Sequence, residues 1–280
     1  MKKRILALAL AALAAFFCAG CAKPAPGAAP ALLATTQPVY QMASALIEGT
    51  PLTAELLISE PVSCLHEYTL SVTQMKKIES AERILLSGRG LEAFMRSALA
   101  GHTNLFSVMP ETGDEEADAH WWLNPEEYDL AAVRLCSFLS EAYPAYKAQL
   151  EENLEALSER LLALTAYGNQ TLQELSCREL VTFHDGFSSF ADAFGLTVAA
   201  AMEVESGSEP SAKELAGIVE LVRTRGIPAV FSEANGDTAA AQTVARETGC
   251  KLASLDLAVS NPDYFAAMRQ NIDTVKEALG

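Results

Sequence analysis

Apolar positions at 39, 42, 43, 46 and 47 recur at the 3.6-residue interval of an amphipathic helix, and Gly49 marks its end. Short apolar runs at 31–35, 56–58 and 83–86 predict buried strands around it, with further helices over 71–81 and 91–99. After a polar stretch at 111–118 that shows no periodicity, a helix is expected over 125–142. Leucines at 150, 154, 157, 161 and 164 then share one face of a single helix over 145–172, roughly 40 Å long at 1.5 Å per residue. Strands follow at 179–183, 196–202, 229–232 and 252–255, with helices between and after them. Alternating strands and helices on either side of one long helix predict an α/β protein of two lobes, each a parallel sheet flanked by helices, with the helix as a rigid spine.

The first residues change the picture of where this chain works. Lys2, Lys3 and Arg4 precede an apolar run over 5–17, too short to span a bilayer, and the pattern is that of a signal peptide over 1–20. Cys18-Ala19-Gly20-Cys21 resembles a lipoprotein cleavage box, although Cys18 replaces the usual aliphatic residue, so Cys21 is the expected lipidation site. An Ala, Pro and Gly tether over 21–30 leads to a first lobe at 31–144, the linking helix at 145–175 and a second lobe at 176–280. The net charge is −16; removing residues 1–20, with three positive charges and none negative, leaves −19. Such acidity argues against a nucleic-acid partner and gathers cations without selecting among them. Cys64, Cys136, Cys177 and Cys250 form no CxxC pair, which disfavours a thiolate zinc site. Cys177 and Cys250 each precede a predicted strand, so they are either a cross-strand disulfide or packed free thiols.

Chemistry concentrates in a few side chains. The chain has 4 histidines. His102 lies in a polar turn and reads as a surface residue, whereas His66, His120 and His184 each end a predicted strand or loop before a helix. Asp256 and Glu233 also stand just beyond predicted strands. Ligands of open α/β sheets bind at the carboxyl ends of strands, so these side chains can converge despite their separation. Three imidazoles and a carboxylate suit tetrahedral zinc, although no HxH or HExxH motif supports them locally.

Pro38-Val39-Tyr40, His66-Glu67-Tyr68, Leu86-Ser87-Gly88-Arg89-Gly90-Leu91-Glu92 and His120-Trp121-Trp122-Leu123-Asn124-Pro125 stand in an order that resembles the zinc and manganese receptor lipoproteins of bacterial ABC importers. The resemblance continues through Thr182-Phe183-His184-Asp185-Gly186-Phe187, Phe194-Gly195-Leu196, Glu209-Pro210-Ser211 and 264–271, nearly the whole mature chain. It implies a metal held between two lobes by His66 and His120 from the first and His184 and Asp256 from the second. Manganese receptors of the family tend to carry a carboxylate at the third position, so His184 favours zinc. The chain also departs from the pattern. The acidic loop 111–118 holds no histidine, Asn124 replaces a common aspartate, and Cys64 stands two residues from His66 as a buried thiol or an alternative ligand. Glu233 keeps the family's acid without its following Pro-Gln, and is expected to orient an imidazole from behind.

The resemblance therefore implies a monomeric, lipid-anchored, extracytoplasmic zinc receptor that delivers its ion to an ABC permease and its ATPase, and not an enzyme. Two other functions follow from the same residues, a manganese or iron receptor on this scaffold or a zinc hydrolase with Glu233 as general base; the resemblance alone adds a surface adhesin, which receptor activity does not exclude. The hydrolase needs an open coordination position, which Asp256 would fill.

Overall fold

In the computed structural model of this chain, the described residues are 32–60, 65, 68–111, 118–202 and 211–280. The predicted signal peptide, Cys21, the tether, Cys64 and His66 lie outside them. Two sheets form, each of four parallel strands in the same spatial order. The first has strands β1 (Leu32–Ala34), β2 (Ala54–Leu56), β3 (Arg83–Leu86) and β4 (Leu105–Ser107), ordered β2-β1-β3-β4. The second has β5 (Glu179–Thr182), β6 (Thr197–Ala201), β7 (Ala229–Glu233) and β8 (Lys251–Leu255), ordered β6-β5-β7-β8. The predicted fold class, two parallel α/β sheets joined by a long helix, is the one observed.

Helices cross between the strands: α1 (Gln37–Leu46), α2 (Val72–Ser80) and α3 (Arg96–Leu99) in the first half, α4 (Pro125–Ala142) after it, then α5 (Lys147–Thr171) as the long connector. The second half carries α6 (Ser188–Ala193), α7 (Ala212–Arg225), α8 (Ala239–Thr248) and α9 (Tyr264–Leu279). Their ends follow from local chemistry. Reciprocal side-chain to backbone bonds between Ser71 and Gln74, and between Ser211 and Glu214, satisfy the first orphan N–H groups of α2 and α7. Asn124 caps α4 with Pro125 in its first turn. No described helix is long and apolar enough to cross a membrane.

Several expected boundaries move. Strand β4 has no counterpart among the predicted strands: Ser107 breaks its apolar run after Leu105 and Phe106, whereas β1 lies within a longer apolar run. Strand β2 ends at Leu56 instead of starting there; Leu57 and Ile58 are buried but run past the ladder. The helix expected over 91–99 is a 3₁₀ segment, Leu91–Met95, followed by the single turn of α3. It starts where Glu92 folds back: its Oε1 accepts the Ser87 N–H at 2.7 Å and the Thr35 hydroxyl at 2.7 Å, and its Oε2 accepts the Gly88 N–H at 3.1 Å. Burial pushes this carboxyl up, against those three hydrogen bonds. Cys177 and Cys250 are free thiols, as is Cys136, so the cross-strand disulfide does not form.

The leucine stripe does what its spacing predicts. Leu150, Leu157, Leu161 and Leu164 of α5 are buried and join the main core, with Leu154 partly buried beside them. That face packs on α1 and α4 from the first half and on α9 from the second. Helix α9 reaches both halves. At its start, Tyr264 stacks on Tyr128 at 4.2 Å, and at its end the Leu279 carbonyl accepts from Ser176 and Cys177. Near its far end α5 comes so close to the second half that a methyl on Gly168 would lie 2.2 Å from the Phe194 ring.

Glycine to alanine inside a helix normally gains about 1 kcal/mol. At Gly168 the buried Phe194 ring must move, and overpacking of this kind costs about 1–3 kcal/mol. We expect Gly168→Ala to lower stability in urea unfolding; a gain would mean that the ring yields freely. Glu92→Ala leaves the Ser87 and Gly88 N–H groups buried without their acceptor, at about 1–3 kcal/mol each. A loss of at least about 2 kcal/mol is expected, and an unchanged urea midpoint would refute this account of the turn.

Candidate metal centre

In each sheet the chain leaves the central pair of strands in opposite directions, and the crevice at that reversal is where open α/β sheets bind ligands. In the second sheet the reversal falls between β5 and β7. His184 emerges there, two residues beyond β5 and one residue later than the sequence suggested, since the ladder stops at Thr182. Glu233 is the last residue of β7, paired with Leu255, and not the first beyond the strand as expected. Asp256 is the first residue after β8, as its position predicts.

Each of these groups is held by its surroundings. Glu233 is buried, and its Oε2 stands 3.5 Å from His184 Nδ1, within ion-pair range but long for a hydrogen bond. Burial and the nearby Asp256 charge push the Glu233 carboxyl up to about 8. A cation bound beside these carboxylates would reverse that repulsion. Asp256 is fixed by its own backbone, whose N–H and carbonyl bond the two ends of the buried Asn271 amide at 2.8 and 2.7 Å. Its Oδ1 accepts the Ala258 N–H at 2.8 Å and its Oδ2 accepts from Asn261 at 2.9 Å. An ionised carboxylate has about four lone-pair directions, so both oxygens keep capacity for a further partner.

From the first half comes His120, buried at 5% exposure and directly before a 3₁₀ turn, Trp121–Leu123. Asp118, which the sequence reading treated only as the end of an acidic loop, accepts the His120 backbone N–H at 2.8 Å and lies 3.1 Å from His120 Nδ1. Burial opposes ionisation of Asp118, but the bonds and charge of His120, with the backbone N–H groups of His120 and Ser189, outweigh it and hold the carboxyl well below its usual range. An ionised acceptor at Nδ1 places the ring proton there and leaves Nε2 as the electron-pair donor.

The fold brings two predicted ligands together from opposite halves. The His120 and His184 rings lie 5.2 Å apart at an interplanar angle of 84°. Gly186 makes this approach possible, because a Cβ there would come within 2.8 Å of His184 Cδ2 and 3.0 Å of His120 Nδ1 and Cε1. Below them the halves are tied by the buried Trp122, whose indole N–H donates to the Leu257 carbonyl at 2.7 Å and whose own carbonyl accepts the Tyr264 hydroxyl at 2.8 Å. His66 falls outside the described residues, and among those described no three His, Cys, Asp or Glu side chains stand at metal-binding spacing. His102 lies apart, 3.7 Å from Glu79.

Known proteins share this chain's sequence pattern and fold. The chain is 28% identical over 313 aligned positions to the zinc-binding lipoprotein AdcA of Streptococcus pneumoniae serotype 4, covering 99% of this chain but 61% of that relative's length. With the high-affinity zinc uptake system protein ZnuA of Brucella abortus it shares 23% identity, over 95% of this chain and 97% of that one. A crystal structure of ZnuA superposes with a TM-score of 0.79 at 24% identity, covering 90% of this chain and all of that one, which shows a shared fold. The family model for the periplasmic zinc-uptake complex component A, ZnuA, matches residues 32–278, a span that holds both sheets, the connecting helix and all four candidate ligands. The chain belongs to that family.

Proposed function

We propose that this protein is an extracytoplasmic receptor that captures a zinc ion between its two halves and hands it to an ABC-type permease driven by a cytoplasmic ATPase. The observation that carries this reading is the His120–His184 pair, two imidazoles from different halves at 5.2 Å, each with a carboxylate against its Nδ1. Zinc-ligating histidines characteristically direct Nε2 at the metal while Nδ1–H is held by a carboxylate, which fixes the ring and raises its basicity. The proposed ligand set is His66, His120, His184 and Asp256, with Glu233 behind His184. Family membership and the zinc-binding and zinc-uptake relatives from Streptococcus and Brucella support zinc as the cargo. The chain spans about three fifths of the streptococcal relative's length, so the transport role inferred from that protein belongs to this proposal.

Three imidazoles and one carboxylate make a borderline-soft donor set that favours zinc over manganese, which prefers oxygen. Four protein ligands fill a tetrahedral shell and leave no position for an activated water, so the site is suited to carrying an ion and not to hydrolysis. Signal-peptide cleavage, lipidation at Cys21 and a monomeric state complete the reading. They place the receptor tethered at the outer face of the membrane, within reach of its permease.

Elemental analysis of purified protein challenged with equimolar zinc, manganese and iron(II) is expected to return one zinc per chain; manganese would reverse the specificity, and no metal would refute the site. His184→Ala should weaken zinc binding by several powers of ten in chelator competition. Ligand imidazoles must be deprotonated, so affinity should fall steeply below about pH 6.5, where free imidazole protonates. A profile flat from pH 8 to 5 would exclude histidine ligation.

A further inference from the structure

We propose that Asp118 is the positioning residue that sets the imidazole pair, fixing the tautomer of His120 and pinning that ring to the second half of the molecule. The inference rests on the receptor reading above and extends it to a residue outside the proposed ligand set. One carboxylate makes three contacts on two sides of the cleft. Its Oδ1 accepts the His120 backbone N–H at 2.8 Å and faces His120 Nδ1 at 3.1 Å, while its Oδ2 accepts the Ser189 N–H at 2.8 Å. Ser189 lies on the same short segment as His184 and Gly186, in the first turn of α6. Asp118 thus joins the loop that carries one imidazole to the segment that carries the other, across 71 positions of sequence.

The carboxylate is itself well supported. Its side chain is 15% exposed, and Arg89 donates to the Asp118 carbonyl at 3.4 Å while a two-point ion pair with Glu127, at 2.6 and 3.1 Å, holds that guanidinium. Among the described residues two backbone N–H groups, of His120 and Ser189, donate to the carboxylate; as an ionised acceptor it also draws the His120 ring proton onto Nδ1. A side chain without an acceptor facing Nδ1 would release that constraint, and one without an acceptor on its far edge would lose Ser189. The two roles can be separated by substitution. In Asp118→Asn the amide oxygen can still receive both His120 N–H groups, but its NH₂ would face the Ser189 N–H, donor against donor. Asp118→Ala removes both contacts.

The test measures zinc affinity by chelator competition and the His120 tautomer by long-range ¹H–¹⁵N correlation on the metal-free protein, for wild type and both variants. We expect wild type to show the Nδ1–H form. Asp118→Asn should keep that form with about tenfold weaker zinc binding, and Asp118→Ala should shift toward Nε2–H with a loss of about 10–100-fold, the usual range for such outer partners. A residue that merely closes a turn would leave the tautomer unchanged in both. An Nδ1–H signal retained in Asp118→Ala, or affinity within twofold of wild type in both variants, would overturn the proposal. Should Asp118→Ala fail to fold, Asp118→Asn still decides on affinity, because only the Ser189 contact is lost there. A wild-type protein that binds no zinc would refute the receptor reading, and the tautomer comparison would still judge Asp118.

Discussion

The hydrogen bond from the Trp122 indole to the Leu257 carbonyl is the constraint on which the arrangement of the two halves depends. Both residues are buried, so neither group has water as a fallback, and breaking the bond would leave a donor and an acceptor unsatisfied at about 1–3 kcal/mol each. Trp122 lies two residues beyond His120, and Leu257 lies one residue beyond Asp256. A single buried contact therefore fixes the distance between a candidate ligand of the first half and one of the second. Tyr264 reinforces it, bonding the Trp122 carbonyl through its hydroxyl and stacking on Tyr128 with its ring. The floor of the cleft is held by packing, so any movement that admits or releases an ion is left to the groups nearer its rim.

The two sheets share one strand order but use their crevices differently. In the first, the reversal between β1 and β3 is filled from within: Thr36 and Ser87 join across it at 2.8 Å, and the buried Glu92 carboxylate takes the N–H groups that follow β3. In the second, the equivalent reversal presents His184 and Glu233. The first half instead brings its histidine from a loop beyond its sheet, after β4 and before α4, where Asp118 and Trp122 can grip it from either side. An architecture that looks doubled is asymmetric where its chemistry lies.

Much of this could be read from the chain because the determinants are local. Apolar runs, capping residues and the leucine period set the order of elements within a residue or two, and strand ends pointed to His184 and Asp256. What escaped reading depends on partners remote in sequence. Nothing near Asp118 announces that Ser189 will donate to it, nothing in the turn after β3 shows that Glu92 will fold back into it, and Gly168 looks like a flaw in a helix until Phe194 arrives against it. Strand β4 is hidden for another reason, since Ser107 interrupts its apolar run after two residues. The resemblance implied a ligand set, but the contacts that hold His120 and His184 in place come only from the assembled fold.

Trp121 and Trp122 are the chain's 2 tryptophans, and they sit edge to face at 5.7 Å, with the Trp122 ring 5.4 Å from that of His120. Indole emission responds to charge and polarity close to the ring, and no other indole in this protein dilutes that response. The intrinsic fluorescence of the whole molecule is therefore a local optical probe of the cleft. It reports what happens at His120 without any label, in the same residues that hold the two halves together.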